Sequence, residues 1–537
     1  MQWGIFQEVA GPLWRGEFMR ISSTVLRSSQ INGSGMATDY LDRRQTWSQL
    51  MDKVRRFAGG LQKLGVRPGE RVAMLALNSD RYLEYFLAVP WAGAVVVPIN
   101  TRLAPPEFVH WLNDSGATVL LIDEHMLPQL PKFQDQLESV KTIVFVGEGD
   151  PPDGMLTYHA AFEHAEGIDP LDKGGDELAA LFYTGGTTGL SKGVMLSHRN
   201  LLLNSIQFGS ELGFSMGRVY LHAAPMFHIA NGAAMFAMIS NAGASTIITA
   251  FEPTAALEAI QNKKVSSGLM VPTMVNMIVN HPQVGDYDLS SLRDLAYGAS
   301  PMPEAVVARA MEILPDTQFH HVYGQTEAAP VLTALPAERN VISGPMAGKI
   351  KSAGQAIVGV EIRIADEDDN EVERGIVGEI CARGENVMLG YWKQPELSAR
   401  TLRGGWLHTG DGGYMDEEGF VFIVDRVKDM IISGGENVYS AEVENAIYKY
   451  AAVAECAVIG IPHEKWGEQV HAIVRCKDGE SASEQTIIDH CHEVIAGFKC
   501  PRSVDFVREP LPLSGAGKIL KTELRKPYWK GKSKQVN

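Results

Sequence analysis

The stretch ELAALFYTGGTTGLSKG, residues Glu177–Gly193, joins two textures. Leu178–Tyr183 is an unbroken apolar run of strand length. Tyr183–Gly193 then packs four glycines, three threonines, one serine and one lysine with no apolar stripe and no helical period. A short apolar run closed by small residues reads as a strand buried on both faces, with a loop at its carboxyl end. In open α/β sheets that edge is where ligands bind.

The surroundings fit such a sheet. WSQLMDKVRRFAGGLQKLG, from Trp47, carries apolar residues at helical spacing and stops at Gly65. RVAMLALN, TVLLIDE, KTIVFVG, VYLHAAPM and ASTIITA are further strand candidates separated by helical stretches. Strands alternating with helices predict an α/β architecture with mainly parallel sheets. After Gly354 the pattern turns to strands joined by acidic turns, predicting a small β-rich subdomain. FVFIVDRVKDMIISGG then leads into SAEVENAIYKY, a helix that Ser440 is placed to cap and whose dipole Glu442 suits. The remainder reads as an α+β unit of about 110 residues, with a boundary near Asp425–Lys428.

With 537 residues the chain is too long for one core. A formal charge of −16 argues against nucleic-acid partners, which need clustered Lys and Arg. Five cysteines without a CxxC pair suggest reduced thiols, not a disulfide framework or a zinc site. No run reaches a membrane span. YFLAVPWAGAVVVPI, from Tyr85, reads instead as a buried helix running into a buried strand. The first residues lack a signal-peptide pattern and the last are not a peroxisomal address, so a cytoplasmic location is expected.

Glycines let backbone N–H groups approach an anion, threonine hydroxyls add donors, and Lys192 adds a charge that can reach a polyphosphate. The segment VMLSHRNLLLNSI can supply a following helix. The order Ser191-Lys192-Gly193 is not a Walker A loop. Taken alone, the loop leaves a phosphate cradle and a flexible connector both open.

Further motifs narrow the choice. They are HVYGQTEAAP (His321–Pro330), GGWLHTGDGGYMDEEGFVFIVDRVKDMIISGGENVYSAEVE (Gly404–Glu444) and LPLSGAGKILKTELR (Leu511–Arg525), with the weaker LAYGASPMP from Leu295 and APMFHIANG from Ala224. With these in order, the chain from about Asp39 to Lys526 resembles the adenylate-forming superfamily of acyl-CoA synthetases, adenylation domains and luciferases, and within it bacterial-type fatty- or aryl-acyl-CoA ligases.

The resemblance implies a two-step reaction of a carboxylic acid with ATP and Mg2+, and then with coenzyme A. It implies that Thr184, Gly185, Gly186, Thr187, Thr188, Gly189 and Lys192 hold the phosphates. Glu327 would sit on Mg2+, and Thr326 on the α-phosphate. Tyr323 and Gly324, with Gly298, Ala299 and Ser300, would border the adenine. Asp411 and Arg426 would take the ribose, and Lys518 would be the catalytic lysine. Lys521 and Lys526 read as surface charges. His228 would gate the acyl pocket, Ser433, Gly434 and Gly435 would line the thiol tunnel, and Lys428 would be a hinge. The implied domains are a divergent segment at 1–38, an ATP- and acid-binding domain at 39–425 and a mobile C-terminal domain at 426–537.

Gly185 and Ser191 depart from the family's usual serine and proline, and residues before Asp39 from its usual opening. The alternatives are an adenylation enzyme that loads a carrier-protein pantetheine, a non-catalytic nucleotide-binding protein on the same scaffold and, remotely, luciferase-like oxidation. A homodimer is the default assembly.

Overall fold

The structure is a computed structural model that describes residues 19–171, 173–184, 191–300, 302, 304–426, 430–433, 436–463, 466–514 and 518–530. Its strands form four sheets, of nine, eight, four and five strands.

The nine-stranded sheet has a parallel centre. Met36–Tyr40, Ala244–Ile247, Val219–His222, Ser267–Met270, Asp294–Gly298 and Gln318–Gly324 lie side by side in that order. In the eight-stranded sheet, Leu178–Thr184, Val95–Pro98, Arg71–Leu75, Ala117–Ile122, Thr142–Phe145 and Leu156–Thr157 run parallel. Every strand expected from the sequence in this region is present. The β-rich part is a four-stranded antiparallel sheet: Val360–Ala365, Gly378–Gly384, Leu407–Met415 and Val421–Arg426. The five-stranded sheet is built wholly from residues after Met430.

Helices fill the space between the two large sheets. In Trp47–Lys63 the apolar positions Leu50, Val54, Phe57 and Leu61 follow the helical period, and all are buried. A capping box of Thr46 and Gln49 starts this helix. Asp80–Trp91 is buried at every position but Arg81, as a helix with apolar residues on nearly every face must be. Phe86 meets Phe182 of the eight-stranded sheet at 6.2 Å and Phe236 of the helix Ile229–Ser240 at 5.9 Å. Among the described residues no helix is long and apolar enough to cross a membrane.

Four expectations change. Residues 19–38 do not stand apart from the large domain. Ile21–Asn32 is a helix whose Ile21 and Val25 join the core, and Met36–Tyr40 pairs with Ala244–Ile247. Residues 1–18 lie outside the described residues. A strand, Lys192–Ser197, separates the glycine-threonine loop from the helix His198–Glu211. This strand runs antiparallel to Leu178–Thr184, so the loop closes a hairpin and no helix N-terminus follows it directly. Ser440 is the first helical residue and not the cap; Tyr439 holds the cap position. Lys521 is no surface charge: it pairs with Glu444 at 2.7 Å, both mostly buried.

Candidate active site

The hairpin register sets Thr184 opposite Lys192. Gly185, Gly186, Thr187, Thr188 and Gly189 lie outside the described residues. Aromatic packing holds the base of the hairpin. Trp111 stacks on Tyr183 at 4.9 Å, and the Tyr183 hydroxyl donates to Asp114 at 2.6 Å.

Lys192 leads across the sheet to an acid. Its ammonium lies 5.3 Å over the Tyr391 ring, and the Tyr391 hydroxyl donates to Glu327 Oε1 at 2.8 Å. Burial, and then the Glu327 charge, push the Tyr391 phenol well above its ordinary range, so it stays a proton donor. Glu327 is 9% exposed. It belongs to the short turn Thr326–Ala328, and its carbonyl accepts from Met388 N at 2.8 Å. Among the described residues, Tyr391 is the sole hydrogen-bond donor to the carboxylate and no ion pair reaches it. A nearly buried carboxylate with capacity to spare, beside a phosphate-loop candidate, fits a hard cation such as Mg2+.

A second pair forms where two parallel strands end. The Tyr323 hydroxyl donates to Asp411 Oδ2 at 2.9 Å. Gly298 closes the neighbouring strand, and a Cβ there would stand 2.2 Å from the Val322 carbonyl oxygen. A Cβ at Gly324 would stand 1.9 Å from the Pro330 carbonyl oxygen. Neither position admits a side chain, because the neighbouring backbone fills the space a Cβ would take. Ala299 follows with φ +68°, and Ser300 is half-buried beside it.

Asp411 sits on a braced turn. Thr409 Oγ1 donates to the Ile380 carbonyl and accepts from Asp411 N, and Gly410 N donates to Glu379. Glu379, Cys381 and His408 bring their donor atoms together under this turn. Arg403 already supplies positive charge there, reaching Glu379 at 3.4 Å and Asp369 at 2.8 Å, and burial pushes the Cys381 thiol up to about 12. The cluster reads as a brace for Asp411. Arg426 is the register partner of Asp411.

The other expected site residues are more dispersed. His228 precedes the helix Ile229–Ser240, half-buried, with its ring 4.6 Å from that of Phe227. Ser433 pairs with Gly467 in the C-terminal sheet. Gly434, Gly435 and Lys428 lie outside the described residues. Lys518 lies on a loop closed by its own carbonyl, which accepts from Ser514 N at 2.6 Å. Arg102 donates to the Ser514 carbonyl at 3.2 Å, tying that loop to the large domain. Arg102 lies just beyond the strand Val95–Pro98, parallel neighbour of Leu178–Thr184, so it shares an edge with the phosphate-loop candidate.

Sequence reasoning missed Tyr391, Arg102 and the brace under Asp411. The GYW run at Gly390–Trp392 has no periodicity to mark it.

The family model of AMP-binding enzymes matches residues 30–392, and that of the AMP-binding enzyme C-terminal domain matches residues 442–518. The chain belongs to the AMP-binding enzyme family. Within this adenylate-forming family it falls in the AMP-forming acyl-CoA synthetase class. It is similar to a feruloyl-CoA synthase from Amycolatopsis sp, 38% identical over 511 residues, covering 95% of this chain and 99% of the relative. It is also similar to a fatty acid–acyl-carrier-protein ligase, ScoC, from Streptomyces coeruleorubidus, 36% identical over 500 residues, with 92% and 94% covered. Among solved AMP-binding enzymes, the crystal structure of the anthranilate CoA ligase AuaEII in complex with anthranoyl-AMP matches with TM-score 0.88 and 27% identity, covering 95% of this chain and 97% of that one.

Proposed function

We propose that the protein joins an apolar carboxylic acid to coenzyme A in two steps driven by ATP. Aryl and arylalkenyl acids are the first candidates and fatty acids the second. In the first step a carboxylate oxygen attacks the α-phosphorus, the bond to the β-phosphate oxygen breaks, and pyrophosphate leaves. In the second the thiol sulfur attacks the acyl carbonyl, loses its proton, and AMP leaves.

The observation that carries this reading is the convergence of two pairs at strand ends: Lys192 and Glu327 meeting through Tyr391, and Tyr323 meeting Asp411. Bringing a carboxylate onto a polyanion demands charge neutralisation and positioning above all. Thr184–Lys192 would take the pyrophosphate part, and Thr326 the α-phosphate. Glu327 would hold Mg2+, which supplies positive charge beside the phosphates when bound. Tyr323 would lie against adenine, bordered by Gly298, Ala299, Ser300 and Gly324, and Asp411 with Arg426 would take the ribose.

Lys518 would reduce repulsion between the acid and the α-phosphate, and Arg102 supports this by docking its loop at the right edge. For the thioester step, residues 426–537 would rotate about Lys428, bringing Ser433-Gly434-Gly435 to the thiol tunnel with His228 as its gate. The helix Ile229–Ser240, buried at every position but Ala230 and Ser240 and polar only at Asn231 and Ser240, supports an apolar acyl pocket. The aryl preference is supported by the feruloyl and anthranilate relatives.

A carrier-protein pantetheine is the second reading of the thiol, favoured by the ScoC relative. The test is pyrophosphate and AMP release over a panel of aryl and fatty acids, with coenzyme A and a pantetheinylated carrier compared as acceptors. Formation of ADP and phosphate overturns the reading. Product with the carrier alone selects the second one.

A further inference from the structure

Residues 386–392 form a strap joining the two halves of the phosphate end of the site. Asn386 Nδ2 donates to the carbonyls of Ala328 at 2.8 Å and Val331 at 3.0 Å, and Met388 N donates to the Glu327 carbonyl. Leu389 N then donates to the Met195 carbonyl, Tyr391 pairs with Val194, and Trp392 N donates to the Gly193 carbonyl at 2.8 Å. One end of the strap therefore holds the acidic turn. The other end holds the strand leaving the glycine-threonine loop.

Tyr391 is the strap residue whose side chain touches both. Its hydroxyl donates to Glu327 Oε1, with Thr401 as a further partner, and its ring lies under the Lys192 ammonium. We propose that Tyr391 is a positioning residue for the metal–nucleotide complex: its hydroxyl fixes one Glu327 oxygen and leaves the second for the cation, while its ring face holds Lys192 ready for phosphate.

The two contacts use different parts of one side chain and so separate by substitution. Tyr391→Phe keeps the ring over which Lys192 lies and removes the bond to Glu327. Tyr391→Leu removes both. A carboxylate with one oxygen anchored presents its other oxygen in a defined direction, whereas a free one swings. The hydroxyl should therefore govern the metal-dependent part of nucleotide binding, and the ring face the metal-independent part.

This role rests on the proposed function. The test is calorimetric titration of the full chain with ATP, once with MgCl2 and once with EDTA, without acid or thiol. Tyr391→Phe should weaken MgATP binding roughly ten- to a hundredfold, the loss of one hydrogen bond to a charged and nearly buried group, and leave metal-free ATP binding unchanged. Tyr391→Leu should weaken both. In a Glu327→Gln background, Tyr391→Phe should add nothing further to the MgATP loss. In pyrophosphate exchange, Tyr391→Phe should raise the KM for MgATP more than it lowers kcat.

Equal loss with and without metal in Tyr391→Phe means mere scaffolding and overturns the role, as does unchanged MgATP affinity. A wild-type chain that binds no ATP in either titration overturns the proposed function itself and takes this role with it.

Discussion

Replacing Tyr323 by Phe isolates one atom of the site. The Tyr323 hydroxyl donates to Asp411 Oδ2 at 2.9 Å, and Tyr323 is 8% exposed. A hydrogen bond to a charged acceptor is worth about 1.5–3 kcal/mol when its partner cannot be replaced. Asp411 is half-buried, so water recovers part of that loss, and about 1 kcal/mol remains. At about 1.4 kcal/mol per tenfold, the KM for ATP should rise roughly fivefold. The expected chemistry lies elsewhere, so kcat should hold. Because the bond acts through Asp411, the variant should also discriminate less between ATP and 2′-deoxy-ATP than the wild type does. Pyrophosphate exchange with both nucleotides measures each quantity. A lower kcat at saturating ATP, with KM and 2′-hydroxyl discrimination unchanged, would refute the reasoning and move Tyr323 away from the ribose.

Lys518→Ala should cut acyl-adenylate formation by more than about a hundredfold, the scale of one lost electrostatic donor, while thioester formation from supplied acyl-adenylate stays near wild type; equal loss of both steps refutes its role. Gly298→Ala forces a Cβ to within 2.2 Å of the Val322 carbonyl oxygen. Since this oxygen is backbone, the change should cost about 1–3 kcal/mol and weaken ATP binding, and denaturant unfolding with a nucleotide titration checks both effects.

Burial, the largest cause, holds His198 and His222 down to about 4. An imidazole that ionises near 6.5 in the unfolded chain makes that state bind more protons between these values. Stability is therefore full above about pH 6.5 and is lost as pH falls towards 4, by on the order of 3 kcal/mol per histidine. Guanidinium unfolding midpoints should drop between about pH 7 and pH 5, and His222→Gln should make the drop shallower; an unchanged slope counts against that origin.

Much of the scaffold was legible because its signals are local. The period of Leu50, Val54, Phe57 and Leu61 announces a helix, and the apolar runs at Arg71–Leu75 and Leu178–Thr184 announce buried strands. Capping was less legible. Ser440 looked like a cap, but the helix begins one residue earlier than that choice requires. The candidate site was legible as motifs and not as a geometry. Thr326-Glu327, Asp411 and Lys518 each lie in a recognisable run, yet no run names its neighbours in space.

What the sequence by itself determined is therefore most of the element types, though not the strand Lys192–Ser197, together with the α/β class and the roster of motifs, all set by interactions within a few residues of the chain. The tertiary structure alone decided who meets whom. Tyr391 reaches Glu327 across 64 positions and Tyr323 reaches Asp411 across 88. It also decided that the glycine-threonine loop closes a hairpin and that Arg102 docks the Lys518 loop. Such contacts depend on sheet order and register, which arise when the whole core packs, and no local period in the chain encodes them.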